Sequence, residues 1–413
     1  MCEIYDAMII GGGASGLVAA CALARWGRRV VLLEKQDRVG RKLLSTGNGR
    51  CNLTNLKAGA ENYQSGKQAV RVALKAWPPK KVIAFFETLG IPCVADEAKR
   101  VYPMSRQAAS VLDALRLGCD EARVETRTGV RVTELNQGEG GFEAVCEGGE
   151  RVYARCALVC TGGLAAPKLG ACGDGYRLLE RLGHTIVPCF PAIAALVTPP
   201  EPVRGLKGIR AEAEITLLCA DKAFRSERGE VLFADSGVSG IAAMQLAHMV
   251  NVTLYAGKRC AVRLDFTPGL DAPALLRRRA ADLPKRSLED FLNGIVPKRL
   301  GQTLVKAAGL PLNAAAGALS EKQIDALAGV LSGWTLPVTG TQGYDQAQVT
   351  GGGANLKYFD VRCMESLCRD GLFAAGEVLD VDGDCGGFNL QWAWSSALLA
   401  AEGIEQYLTD RDK

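Results

Sequence analysis

Histidine is nearly absent: His184 and His248 are the only two in 413 residues. So few imidazoles exclude a histidine-rich metal centre and disfavour Ser–His–Asp catalysis. No Cys-x-x-Cys pair occurs among the 15 cysteines, so structural zinc is not expected either. No apolar run reaches the roughly 18 residues a spanning helix needs, and no membrane contact is expected. Charge of one sign is missing too. The 49 basic and 45 acidic residues leave a net charge of +4, without the clustered basic excess that marks a nucleic-acid partner.

The opening MCEIYDAMIIGGG lacks the long apolar core and basic flank of a secretory signal. With an odd cysteine count and a long chain, this points to a reduced, cytoplasmic protein whose cysteines are mostly small buried hydrophobes. Hydrophobic residues at 48% and charged residues at 23% exclude global disorder. What the chain has in excess is glycine, 48 residues against a usual share of about 7%. Such an excess suggests tight turns and close backbone approaches to something bound.

The first 35 residues read as strand, glycine turn, helix, strand: a compact βαβ unit. Gly11-x-Gly13-x-x-Gly16 falls in the turn. There the first glycine makes the bend, the second lets backbone approach a pyrophosphate, and the third allows close helix–strand packing. Ala14 and Ser15 open the helix, whose free N–H groups face the phosphates. Glu34, eighteen residues after Gly16 and followed by Lys35, is placed to accept from a ribose 2′-hydroxyl and to repel a 2′-phosphate.

Further along, GRKLLSTGNGRCNLTN is too long and too rich in donors for a mere connector. Arg41 and Lys42 are candidates for pairing with phosphates, and Asn48 and Asn52 for a polar cofactor edge or for capping the loop. Cys51 has no cysteine about five residues away, so a flavin disulfide centre is not expected and packing beside the cofactor is. After an apolar strand, Thr161-Gly162-Gly163 resembles a strand end laid beside FAD. Near the far end, a strand runs into Gly376-Glu377, followed by a polar turn and a helix from about Phe388. Two glycine-rich turns so far apart in the chain favour one long cofactor, FAD, over NAD. The remaining segments read as a β-meander (124–161), a proline-marked linker from Pro188, a β-rich stretch, and a helical stretch that includes SLEDFLNGIV.

With GGGASG, GRKLLSTGNGRCNLTN and GEVLDVDGDCGGFNLQWAWSSALLAA together, the chain closely resembles the YhiN/BaiN-like flavoproteins, also known as the aminoacetone oxidase family. The resemblance implies an α/β fold: a discontinuous, glutathione-reductase-like FAD-binding Rossmann domain with inserted β-barrel-like and small helical domains. The boundaries expected are 1–190 for the first part of the FAD domain, 191–265 for the β-rich insertion, 266–334 for the helical insertion, and 335–413 for the return. It further implies that Gly47, Asn48, Cys51 and Asn52 lie along the cofactor and that backbone near Val130 meets the adenine. Glu377, Gly387, Asn389, Leu390 and Gln391 would lie toward the ribityl–flavin end.

The activity implied is an FAD-dependent oxidoreductase moving a hydride through flavin N5 on a small-molecule substrate. The leading expectation is an NAD(P)H-dependent reductase of conjugated C=C bonds in 3-oxo bile acids or similar enones. The alternatives are an oxidase of aminoacetone-type amines using O2, an FAD-binding sensor or scaffold without catalysis, and an RNA-modifying flavoprotein, which the small basic surplus disfavours. No second dinucleotide fingerprint exists, so NAD(P)H would bind transiently over the flavin. Tyr344, Tyr102 or a water can supply the proton an enone reductase needs, and the catalytic acid stays unassigned. The chain departs from the family pattern at Phe233–Ile241, with Asp235 for histidine and Ile241 for proline, and at Tyr344-Asp345, where relatives have glycine-valine. The substrate is therefore not transferable from a relative.

Overall fold

The computed structural model describes Ile4–Lys413, which fold as two compact units. One runs to Phe190 and resumes at Gln348–Lys413; the other is Pro191–Ala347.

In the first unit, strand β1 (Ile4–Ile10), helix α1 (Ala14–Arg25) and strand β2 (Val30–Glu34) form the βαβ unit. The strands pair in parallel, Ala7 opposite Val30 through Ile10 opposite Leu33. A parallel pair needs a crossover, and α1 supplies it. Its alanines and leucines are buried from Ser15 to Ala24, and it closes where Gly27, at φ 93°, takes the left-handed turn. The parallel sheet is ordered Leu372–Ala374, Arg151–Val159, β1, β2, Glu125–Thr128. Strand order reverses between β1 and Arg151–Val159, and doubly wound sheets bind ligands beyond the carboxyl ends of their strands at such a point. This is the α/β Rossmann architecture that the sequence leads one to expect.

The meander is present from Val132, as Val132–Gly138, Gly141–Cys146 and Arg151–Val159, all antiparallel, whereas the expected opening stretch at Glu125–Thr128 joins β2 in parallel instead, the chain turning at Gly129. Its third strand also enters the parallel sheet beside β1, which is why its second half, CALV, is wholly buried. The closing helix, Phe388–Arg411, packs against α1. Trp392 and Trp394 are both buried on it. Each spends its indole N–H on a backbone carbonyl, Gly376 O at 3.0 Å and Leu53 O at 2.8 Å respectively.

The second unit is built on an antiparallel sheet: Trp334–Val338, Cys260–Asp265, Arg210–Cys219, Lys222–Ala234, Gly237–Ser239, Leu196–Val197, Gly340–Thr341. Between Cys260–Asp265 and Trp334–Val338 the chain makes helices Ala272–Asp282, Lys298–Ala307 and Glu321–Leu331. Their starts are marked by Asp271, accepting from Ala274 N–H at 2.9 Å, and by the Ser320/Gln323 capping box. The expected SLEDFLNGIV helix shrinks to Leu288–Phe291. Gly294 takes φ 89°, Pro297 follows, and the helix cannot continue through them. Among the described residues no helix is long and apolar enough to cross a membrane.

Candidate functional site

The three fingerprint glycines meet different surroundings. Gly11 has φ 106°, and a methyl group there would lie 2.6 Å from the Cys160 carbonyl oxygen. A methyl on Gly16 would run into the Gly11 carbonyl. Both therefore serve the packing of α1 against β1 and Arg151–Val159. Gly13 precedes α1 with φ −83°, and a methyl there would meet nothing within 4 Å. The space before the helix N-terminus is open, with Ala14 and Ser15 in its first turn. It has the shape and polarity of a phosphate cradle.

Glu34, at the end of β2, faces the same turn. Its Oε2 accepts from Gly12 N–H at 2.8 Å and its Oε1 from Gln36 N–H at 2.8 Å. Val130 N–H donates to Glu34 O at 2.9 Å, so the Val130 backbone adjoins the carboxylate. Each carboxylate oxygen keeps a lone pair for a ribose hydroxyl. Lys35 turns away to Asp174 Oδ2, 3.2 Å away. The cations Arg131, Lys35 and Arg177 surround Asp174. Hydrogen bonds from Arg131, Cys172 and Lys35 outweigh partial burial and hold its carboxyl well below the usual range.

The loop after β2 approaches from another side. Gly40 N–H donates to Gly12 O at 2.8 Å, and Lys42 Nζ reaches both oxygens of Glu377, at 2.7 and 3.0 Å. Arg41 instead bonds Gln36 Oε1 at 2.6 Å. Gly47, Asn48 and Gly49 take left-handed φ values of 56°, 54° and 79°, with Asn48 exposed to solvent. Cys51, also left-handed, is fully buried, and burial pushes its thiol up to about 12. Such a thiol is inert packing rather than a nucleophile. Asn52 Oδ1 and Thr161 Oγ1 are buried with no hydrogen-bond partner.

Thr350 joins these pieces, and the sequence reading missed it. Its Oγ1 accepts from Leu164 N–H at 2.8 Å and Ala165 N–H at 2.9 Å, and its own N–H donates to Glu377 Oε1 at 3.0 Å. A methyl on Gly163 would strike Thr350 Oγ1 and lie 3.1 Å from Glu377 Oε1. Gly162, at φ 70°, allows the turn. The usable signal is a threonine directly before three glycines, Thr350–Gly353, within strand Val349–Ala354.

The two distant turns touch. Gly376, at φ 78°, lies so close to α1 that a methyl on it would be 2.6 Å from Ser15 Oγ. Its N–H is held by Ser396 Oγ at 3.0 Å. Farther along, Gly387 at φ 97° starts the closing helix. Asn389 clasps the loop before it, bonding both N–H and C=O of Gly383 at 2.8 Å, while Leu390 is half-buried. Gln391 lies within the core, wholly buried. Its amide bonds the Thr54 hydroxyl, Trp77 O at 3.0 Å and Ser395 Oγ at 2.6 Å. Thus Gly13 and Glu34 flank the turn before α1, Gly376 meets Ser15 on that helix, and Gly163 and Lys42 meet Glu377, on which the Lys42 ammonium is spent, while the Thr161 hydroxyl is buried against Gly175. Lys35, Arg41, Asn389 and Gln391 are committed to protein partners.

An open cradle of helix N–H groups at Gly13 and a carboxylate with spare lone pairs at Glu34 form the donor and acceptor set for a dinucleotide's pyrophosphate and ribose. The residues present fit FAD.

Comparison with known proteins agrees with the Rossmann fold. Residues 5–403 match the family described as HI0933-like protein Rossmann domain. A 3-dehydro-bile acid delta(4,6)-reductase of Clostridium scindens is 36% identical over 404 residues, covering 96% of this chain and 98% of the relative. A ribosomal RNA dihydrouridine synthase of Haemophilus influenzae is 30% identical, covering 98% of this chain and 100% of the relative. Among solved structures, the 3-ketosteroid delta1-dehydrogenase of Sterolibacterium denitrificans shares the fold, with a TM-score of 0.50 at 13% identity. The match covers 98% of this chain and 99% of that one.

Proposed function

This chain belongs to the HI0933-like Rossmann family, and from that premise we propose that it is an FAD-dependent reductase of carbon–carbon double bonds conjugated to a carbonyl. The observation that carries the cofactor is the open space at Gly13 before the α1 N-terminus, with the Glu34 carboxylate on the same turn through Gly12 N–H. FAD bound there supplies a centre that accepts and delivers hydride. The α1 N-terminus holds the pyrophosphate, Glu34 receives the ribose hydroxyl, and Glu377, anchored by Lys42 and Thr350 N–H, fixes the turn at Gly376.

The substrate class is supported by the two full-length relatives. Their names share one chemistry: a Δ4,6 double-bond system conjugated with a 3-ketone, and a uracil ring C=C beside a carbonyl, are both saturated by hydride plus proton. The first relative is the more similar, which favours a steroid-like enone, with NADH or NADPH as the transient reductant. The second reading, a uridine in RNA, is favoured by the 30% identity over the whole length of the synthase.

Anaerobic mixing decides. NADPH or NADH is expected to bleach the yellow protein, and a 3-oxo-Δ4 steroid acid to restore its colour within a turnover. Recolouring by a uridine-containing ribosomal RNA fragment alone selects the second reading. A protein that neither nicotinamide bleaches faster than free FAD is not this reductase.

A further inference from the structure

Strands Arg210–Cys219 and Cys260–Asp265 of the second unit run antiparallel, in a register that sets Cys219 directly opposite Cys260. One position on, Ala220 N–H donates to Arg259 O at 3.0 Å. Hydrogen-bonded and non-hydrogen-bonded pairs alternate along such a ladder. The cysteines therefore occupy a non-hydrogen-bonded position, where facing Cα atoms approach to about 4.5 Å. A disulfide spans Cα separations of about 4.4–6.8 Å, so no backbone movement is required. Both side chains point to one face, toward helix Ala247–Tyr255. The Thr253 hydroxyl donates to Cys219 Sγ at 3.3 Å, and the Cys260 thiol donates to Val250 O at 3.9 Å. Both thiols are free; Cys219 is half-buried and Cys260 is 6% exposed.

We propose that Cys219 and Cys260 are a redox-active dithiol that closes to a cross-strand disulfide by exchange with a low-molecular-weight disulfide. Cys219, the more accessible, loses its proton to solvent and attacks one sulfur of the small disulfide, releasing one small thiol and leaving a mixed disulfide. The Cys260 thiolate then attacks Cys219 Sγ and releases the second small thiol. Two protein thiols are oxidised and one small disulfide is reduced to two thiols, so atoms and electrons balance. Burial pushes the Cys260 thiol up to about 11, which fits a resolving role for it and an initiating role for Cys219. Cys51 and Cys160, buried at 0% and 3% exposure, have no such access. Closing the bond ties the two strands across the segment between them and restricts the unfolded chain.

The test uses the purified full-length protein, incubated with oxidised glutathione under native conditions, alkylated and digested. Peptides carrying Cys219 and Cys260 are expected to be joined and to separate on reduction, with two alkylatable thiols lost. Cys260→Ser is expected to leave Cys219 as a stable glutathione adduct. Wild-type protein that keeps that adduct with Cys260 still alkylatable, that links either cysteine elsewhere, or that leaves both thiols untouched overturns the proposal. The wild-type mapping decides even if the variant folds poorly.

Discussion

At the scale of single residues, the three fingerprint glycines separate binding from folding. Gly13 has an ordinary φ and free space around it, so Gly13→Ala is expected to leave the Tm of the FAD-free protein within about a degree. The added methyl occupies the phosphate cradle and is expected to weaken FAD by about tenfold or more, a loss of about 1.4 kcal/mol, read by flavin fluorescence on titration. Gly16→Ala does the reverse kind of damage. Its methyl meets the Gly11 carbonyl, and overpacking of this sort costs about 1–3 kcal/mol of folding stability, seen as a lower urea midpoint. Thr161→Val removes a buried hydroxyl that has no partner. The protein is expected to be unchanged or more stable by up to about 1 kcal/mol, seen as an equal or higher urea midpoint. A Thr161→Val protein that is clearly destabilised shows that this hydroxyl has a partner after all.

At the scale of elements, the closing helix is pinned rather than merely packed. Gln391 satisfies the Thr54 hydroxyl, the Trp77 carbonyl and Ser395 from one wholly buried side chain. Replacing it with leucine strands the buried Thr54 hydroxyl, while Trp77 O keeps the Ser395 hydroxyl at 2.7 Å. Gln391→Leu is expected to cost about 1–3 kcal/mol, the penalty of one buried group left unpaired, measured by equilibrium unfolding. FAD affinity per folded molecule is expected to stay near that of the parent, since the amide is committed to protein. The residue's motif marked it as interesting, but its neighbours come from segments more than 300 positions away. The sequence pattern could not distinguish a cofactor amide from a core clasp. Lys35 and Arg41 followed the same course: basic residues beside a phosphate motif that found protein carboxylate and amide partners instead.

At the scale of the whole molecule, pH acts through His184. It is buried, with its ring nitrogens on Leu179 O at 3.1 Å and Ser366 Oγ at 2.9 Å, stacked on Phe359. Burial lowers its pKa. The unfolded chain binds a proton near the free value of about 6.5, whereas the folded one resists it. Stability is therefore full above about pH 6.5 and declines as pH falls from there toward the depressed folded pKa. His184→Gln is expected to flatten the slope of unfolding free energy below about pH 6.5; an unchanged slope removes His184 as its source. Asp174 acts at lower pH. Its folded carboxyl is held down by its cations, so its contribution is present above about pH 4 and is lost only below it.

Local rules reached far into this chain. Periodicity and glycine spacing located the βαβ unit, the meander and the closing helix, because strand alternation, helix amphipathicity and the left-handed turn are properties of short segments. The same local logic predicted that Gly11–Gly16 and Gly376 belong to one site. What it could not decide was which side chains face that site. Thr350 entered it, and Gln391, Asn389, Lys35 and Arg41 were drawn to protein partners, because a polar side chain's role depends on which groups are within hydrogen-bond reach after folding. The register that sets Cys219 against Cys260 was likewise settled only by strand pairing. The sequence by itself determined the elements and the cradle; the tertiary structure decided the partners, since contacts between distant segments have no local signature.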